Sequence, residues 1–488
     1  MSLSFWIIIY IIISIAIWLY AGRKVKNDND YILAGRWLPL YIVIATTFAT
    51  WFGSETVLGT SSTFLEEGIS GILADPFGAG LCLILVWLFF ARPLYKLGVK
   101  TLGDYYRLKY GRTVELLASV MIIISYIWWV SAQIVALGLV FDIVSEGSLL
   151  ADLTQSQWSM IGWIIVLVYT IFWWMWSVAM TDFFQMIIIL IGMVLVAWFF
   201  SDKAGGTTTV IWQAINDGKF SLFGTDGITF ASVIAVISAV LTMGFGSIPQ
   251  QDVFQRVLSA DSEKNASRGA VIGGSFYILF AFIPILLAYS AFMIAPDLLT
   301  TTGDTQRVLP ALILEQAPLF LQVMFFWALL SAIMSTASGT LLAPSALFAE
   351  NILKPSLPGL TGKKLLLLTR ASVFGTFLII MGFVSYKYYH EEARIFEMVE
   401  NAYKITLAWA FVPLAAAIMI KKVHTISALL SMIVGIGAWL SFEFYLGFAE
   451  VYSMPPHFFA FLLSALAFSV GQMLYRWSGN GKNIEGVM

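Results

Sequence analysis

Apolar stretches of membrane-spanning length follow one another from residue 5 to residue 476, and this recurrence settles the solvent before any single residue is considered. A hydrocarbon layer takes about 20 apolar residues per helix, and thirteen such spans are read at 5–22, 39–64, 69–92, 114–142, 157–178, 181–200, 229–249, 268–294, 318–345, 366–388, 396–420, 424–447 and 456–476. Backbone at that depth has no water to bond, so the expected fold is all-α and polytopic. Composition agrees: 59% of the 488 residues are hydrophobic and 11% charged, which excludes a soluble globular chain.

Basic residues give an orientation, because they stay on the cytoplasmic side. The segments following odd-numbered spans, together with the adjoining span ends, hold 21 of the 27 Lys and Arg, beginning with Arg23, Lys24 and Lys26. The N-terminus is therefore expected outside a cell membrane and the C-terminus in the cytoplasm. The first span is read as retained, since its basic residues follow the apolar run.

The balance of 27 basic to 29 acidic residues offers no surplus for nucleic acid. Cys82 is the single cysteine, and His390, His424 and His457 lie far apart near span ends, so neither a metal enzyme nor a nucleophilic triad is expected. The nearest approach to a phosphate loop, GNGK at 479–482, lacks the spacing, and no ATP-driven step is expected.

The tripeptide FGS interrupts two spans, as Phe52-Gly53-Ser54 in the second and Phe245-Gly246-Ser247 in the seventh. An odd offset of five spans makes the copies cross in opposite directions, as in an inverted repeat. The chain then reads as one transporter domain: 5–22 an extra helix, 39–200 the first repeat, 229–420 the second, and 424–476 two further helices. Glycine, and Pro249 in the second copy, would unwind each helix and free carbonyls to line a cavity. A chance tripeptide used for close packing is the alternative. The matching mid-span positions, and the polar residues Ser54, Glu55, Thr56 and Gln250, Gln251, Asp252 after the breaks, favour the repeat.

An ionisable residue inside a span costs roughly 3 kcal/mol and needs a partner or a function. Glu55 follows the first break, Asp182 opens span 6, and Glu400 and Lys404 stand four apart in span 11. The last two read either as a self-satisfied helical pair or, with Lys404 meeting Glu55, as an outer gate. Span 9 carries SAIMSTASGT at 331–340, with Ala332, Ser335 and Thr336 at i, i+3, i+4 and Ser331, Ser335 and Ser338 on one face. Neutral oxygens of this kind suit sodium, and small residues equally suit helix packing. Trp51 adjoins the break, and Trp128 and Trp129 lie mid-span; their faces could hold an ammonium group by cation–π attraction, or simply pack.

Together DYILAGR at 30–36, ATWFGSETVLGT at 49–60, TDFFQ at 181–185, SIPQQDVFQRVLSADS at 247–262 and AIMSTASGTLLAPSALFAENI at 332–352 resemble the solute:sodium symporter family over nearly the whole chain. The resemblance implies the inverted-repeat fold of the bacterial leucine transporter with one extra N-terminal helix. It also implies a sodium site made by the carbonyls of Ala49, Phe52 and Ala332 and the hydroxyls of Ser335 and Thr336. A second sodium in some members would use Asp182 with Ser335 and Ser338, but Gly339 stands where those members have another hydroxyl.

The expected activity is sodium-coupled uptake of a small organic solute, an amino acid such as proline or a related zwitterion or amine. Choline, betaine, a sugar or a vitamin are the other candidates. Gln250 replaces a tryptophan of the choline transporters, and Glu55 an uncharged glycine. Expected solute contacts are Trp51, Gly53, Glu55, Thr56, Trp129, Gln133, Phe245, Gln250 and Tyr403. A passive channel would need no broken repeat. A sensor would need a signalling domain, for which the eleven residues after Trp477 are too few.

Overall fold

Each predicted span coincides with a helical segment in a computed structural model that describes residues 2–21, 32–145, 152–172, 175–223, 227–298, 303–357, 359–360, 363–390, 394–445 and 454–477. Numbered with the spans, the single helices long and apolar enough to cross a membrane are α3 (Leu73–Leu97), α4 (Arg112–Ser145), α6 (Met175–Lys203), α8 (Glu263–Ile294), α9 (Leu319–Ser356), α10 (Lys364–Tyr388), α11 (Ile395–Met419), α12 (Thr425–Tyr445) and α13 (Pro456–Trp477). Shorter helices α1 (Leu3–Ala21) and α5 (Gln155–Phe172) lie at spans 1 and 5. The remaining two are broken: α2 (Leu40–Trp51 and Glu55–Ser70) bends by 52° and α7 (Phe230–Gly246 and Gln251–Leu258) by 49°. The basic residues Arg23, Lys24 and Lys26, the start of DYILAGR, the GNGK stretch and the tail after Trp477 lie outside the described residues.

The packing repeats with an offset of five. The first half of α2 lies on α8, and its counterpart, the first half of α7, lies on α3; α2 packs on α6 as α7 packs on α11. Likewise α4 pairs with α11 and α5 as α9 pairs with α6 and α10. The start of the first half also touches the link between α7 and α8, because the Leu38 N–H donates to the Ser259 carbonyl and its own carbonyl accepts the Asp261 N–H.

Local chemistry explains the helix ends. Thr229 and Ser232 form a capping box at the start of α7, Ser262 caps α8 by accepting the Asn265 N–H, and Pro39 and Pro318 precede α2 and α9, where a missing N–H costs nothing. Pro249 cannot donate, so α7 stops before it. Two boundaries differ from the sequence reading. Asp182 does not open α6 but lies two turns inside it, since that helix already begins at Met175. Residues 251–258, read as a loop, form the wholly buried second half of α7.

The C-terminal pair packs closely on this core. A Cβ added at Gly435 of α12 would stand 1.9 Å from the Ala408 carbonyl oxygen of α11, which is backbone and cannot swing aside. Gly435→Ala is expected to cost about 1–3 kcal/mol of stability. Calorimetry of the solubilised protein checks this, and an unchanged transition would place the two helices farther apart.

Candidate ion and solute sites at the two helix breaks

The break in α2 brings main-chain oxygens to hydroxyls of α9. Ser335 Oγ donates to the carbonyls of Ala49 at 2.5 Å and Ala332 at 3.1 Å. Thr336 Oγ1 donates to Thr50 O at 2.9 Å, with Ala49 O at 3.5 Å. All five residues are buried. Phe52 closes the first half of α2 with non-helical backbone (φ −88°, ψ 74°). Ala49, Ala332, Ser335 and Thr336 of the expected sodium set thus converge, and Phe52 follows Ala49 by three residues at the end of that helix half. Their oxygens are neutral and hard, the chemistry of a weakly held alkali cation.

The break in α7 is held in the corresponding way by α4. The Asp252 N–H donates to the Tyr126 hydroxyl at 2.8 Å, and Gln250 Nε2 donates to Ser125 Oγ at 3.0 Å. Thr406 of α11 donates to the freed Gly246 carbonyl at 2.5 Å.

Between the breaks lies an aromatic cluster with one carboxylate. Trp51 and Tyr403 are parallel with centroids 6.5 Å apart, and Trp129 stands edge-on to both, at 6.3 and 5.5 Å. Glu55 accepts from Gln133 Nε2 at 2.7 Å and Trp129 Nε1 at 3.3 Å, and Gln133 Oε1 accepts the Ser54 N–H at 3.2 Å. Trp51 Nε1, the Tyr403 hydroxyl and Gln250 Oε1 are buried without a protein partner. Buried polar atoms are rarely left so, and these three suit a ligand. A Cβ added at Gly53 would lie 2.4 Å from Glu55 Oε2 and 2.8 Å from Thr336 Oγ1, so the ion and solute groups share a wall one side chain thick.

Some expected contacts fall elsewhere. Phe245 turns from the cluster: its ring stacks on Phe411 at 4.5 Å and meets Phe461 of α13. Thr56 faces Asp75 and Tyr277, at 3.1 and 2.9 Å. Lys404 pairs with Glu400 at 3.1 Å and bonds Asn401, rather than meeting Glu55. Both line a cavity beside the second half of α2, with Glu66, Glu67 and Arg394. Trp128 packs on Phe383 of α10.

Sequence reasoning passed over three buried groups. Asp75 in α3 accepts from Thr56, Thr60 and Tyr277; its signal was an acid inside a predicted span. Tyr277 carried no signal. Arg256, assigned to a loop, is 1% exposed. Its Nε donates to Thr50 Oγ1 at 2.6 Å and its Nη1 to the Asp252 carbonyl at 3.1 Å. Asp182 Oδ2 accepts from Thr46 within the electrostatic reach of this guanidinium, while its Oδ1 is buried without a protein partner; Ser338 turns back to the Ser335 carbonyl, so the two do not meet. Gly339 makes room for Arg256, whose Nη2 lies 2.0 Å from where a Cβ would stand.

A sequence model of the sodium:solute symporter family matches residues 31–435. The high-affinity choline transporter 1 of Drosophila melanogaster is 28% identical over 71% of this chain and 56% of its own length. The high-affinity proline transporter PutP of Bacillus subtilis is 25% identical over 92% of this chain and 94% of its own. The chain spans between 56% and 66% of the length of the choline transporters it matches. A sodium-coupled sialic acid symporter, solved in a substrate-bound outward-open state, superposes with a TM-score of 0.80 at 18% identity, covering 97% of both chains.

Proposed function

The chain belongs to the sodium:solute symporter family, a multi-pass membrane protein with a transporter fold, and from this we propose that it couples sodium influx to the uptake of a small organic solute. The observation that carries the reading is the wall at Gly53, with Thr336 of the ion set on one side and Glu55 of the solute cluster on the other. In this proposal sodium binds the oxygens of Ala49, Phe52, Ala332, Ser335 and Thr336, ties the broken α2 to α9, and thereby fixes Glu55 and Trp51 for the solute. Coupling follows when the ion prefers one of the two transporter states.

The solute contacts we propose are Trp51, Gly53, Glu55, Trp129, Gln133, Gln250 and Tyr403. Glu400 and Lys404 would form part of the outer gate as a pair. We also propose a single sodium, because the Arg256 guanidinium already supplies a cation beside Asp182 and Gly339. The repeats would run over 39–200 and 229–420, with the N-terminus outside and the C-terminus in the cytoplasm.

The test needs no knowledge of the solute. Sodium chloride is expected to raise the melting temperature of the purified chain above potassium chloride at equal ionic strength. Saturation at about 100 times the dissociation constant would correspond to about 2.7 kcal/mol. Equal melting in both salts would count against the sodium site.

A further inference from the structure

Among the described residues, four carboxylates, Glu55, Asp75, Asp182 and Asp252, are buried to 2% exposure or less in the bundle core, and one guanidinium, Arg256, is buried with them. The other buried acids have cations of their own: Glu115 has Arg112 at 2.9 Å, and Glu350 has Lys354 at 2.5 Å. Lys387, also buried, stands over the Trp128 ring. Arg256 brings positive charge within reach of Asp182 and Asp252, while its hydrogen bonds go to Thr50 Oγ1 and the Asp252 main-chain carbonyl. Glu55 and Asp75 have neutral donors: Trp129 and Gln133 for the first, Thr56, Thr60 and Tyr277 for the second.

Charge buried in this way costs several kcal/mol per ion unless a counter-charge arrives. Sodium at the α2–α9 site brings one, which leaves an acid excess. We infer that the solute brings another: it is a small organic ammonium ion with no carboxylate of its own, held by Glu55 among Trp51, Trp129 and Tyr403. This rests on the reading of that cluster as the solute site.

Two further observations agree. Within the cluster the groups that await a partner, Trp51 Nε1, the Tyr403 hydroxyl and Gln250 Oε1, are neutral, and the unpartnered Arg256 Nη2 stands at Gly339, so a solute carboxylate in the cluster would meet no cation and would face Glu55. Ring faces attract ammonium within about 6 Å of their centroids. The cavity beside the second half of α2, about 510 Å³, carries Glu66, Glu67, Asp304, Glu397 and Glu400 against Arg394 and Lys404. An acidic mouth concentrates cations ahead of the site.

Matched pairs that differ in a carboxylate test the inference on the full chain in sodium: prolinol against proline, ethanolamine against glycine, choline against betaine, with glucose as the neutral probe. Thermal stabilisation is expected from the cation of at least one pair and not from its zwitterion. Glu55→Gln should weaken that cation at least tenfold. Ethanolamine above choline would assign the ammonium N–H to Glu55, and choline above ethanolamine would assign it to the rings; either supports the inference. A zwitterion or glucose stabilising as well as the cations, or no cation stabilising at all, overturns it. The symport reading fails separately, through loss of the stabilisation by sodium alone.

Discussion

Exchanging Ser335 and Thr336 together for alanine is expected to abolish the difference between sodium and potassium in both melting temperature and uptake by proteoliposomes. Each hydroxyl would supply one of five proposed ligands. A loss of about 1.4 kcal/mol per ligand is tenfold in affinity, so the double change should weaken sodium on the order of 100-fold. The same hydroxyls also tether α2 to α9 through the Ala49 and Thr50 carbonyls, so the variant will be less stable in any salt, by about 1 kcal/mol per hydrogen bond. The informative quantity is therefore the sodium-minus-potassium difference and not the melting temperature itself. Ser338→Ala is the internal control: its hydroxyl bonds the Ser335 carbonyl on the same helix, and the sodium effect should persist. A retained sodium effect in the double variant would remove the ion from this site, and a lost one in Ser338→Ala would revive a second ion.

Much of the architecture was legible because a bilayer forces apolar runs of fixed length, and because the FGS breaks carry their own chemistry. The Glu400 and Lys404 pair was legible as one of two readings, since i, i+4 spacing on a helix allows it and only the neighbours show that Lys404 does not reach Glu55. Where neighbours from distant helices decide, the sequence was mute. Asp182 looked like a span entrance because a polar Thr-Asp pair interrupts the apolar pattern, yet Thr46 of α2 and the charge of Arg256 accommodate it deep inside. Arg256 itself looked like a loop cation; only the second half of α7, buried against α9, explains it. Phe245 was expected among the solute contacts, yet its ring stacks on Phe411 away from the Trp51 cluster. Its ring meets Phe461 of α13, and α12 and α13 follow the second repeat.

Gly53→Ala is expected to uncouple the ion and solute sites together. The new methyl would meet Glu55 Oε2 at 2.4 Å and Thr336 Oγ1 at 2.8 Å, and neither group is free to yield: Gln133 and Trp129 hold the carboxylate, and the Thr50 carbonyl holds the hydroxyl. Overpacking of this kind costs about 1–3 kcal/mol. Taken from the ion site alone, about 2 kcal/mol is roughly a 30-fold loss of sodium affinity. Gly246→Ala makes the comparison sharp. A Cβ there meets the Tyr403 carbonyl oxygen at 2.4 Å, so it should displace the ring that faces Trp51 while leaving α2 and α9 in contact. Stabilisation by sodium alone should then be lost in Gly53→Ala and kept in Gly246→Ala, with uptake poor in both. Equal sodium responses in the two variants would mean that Gly53 does not separate an ion from a solute.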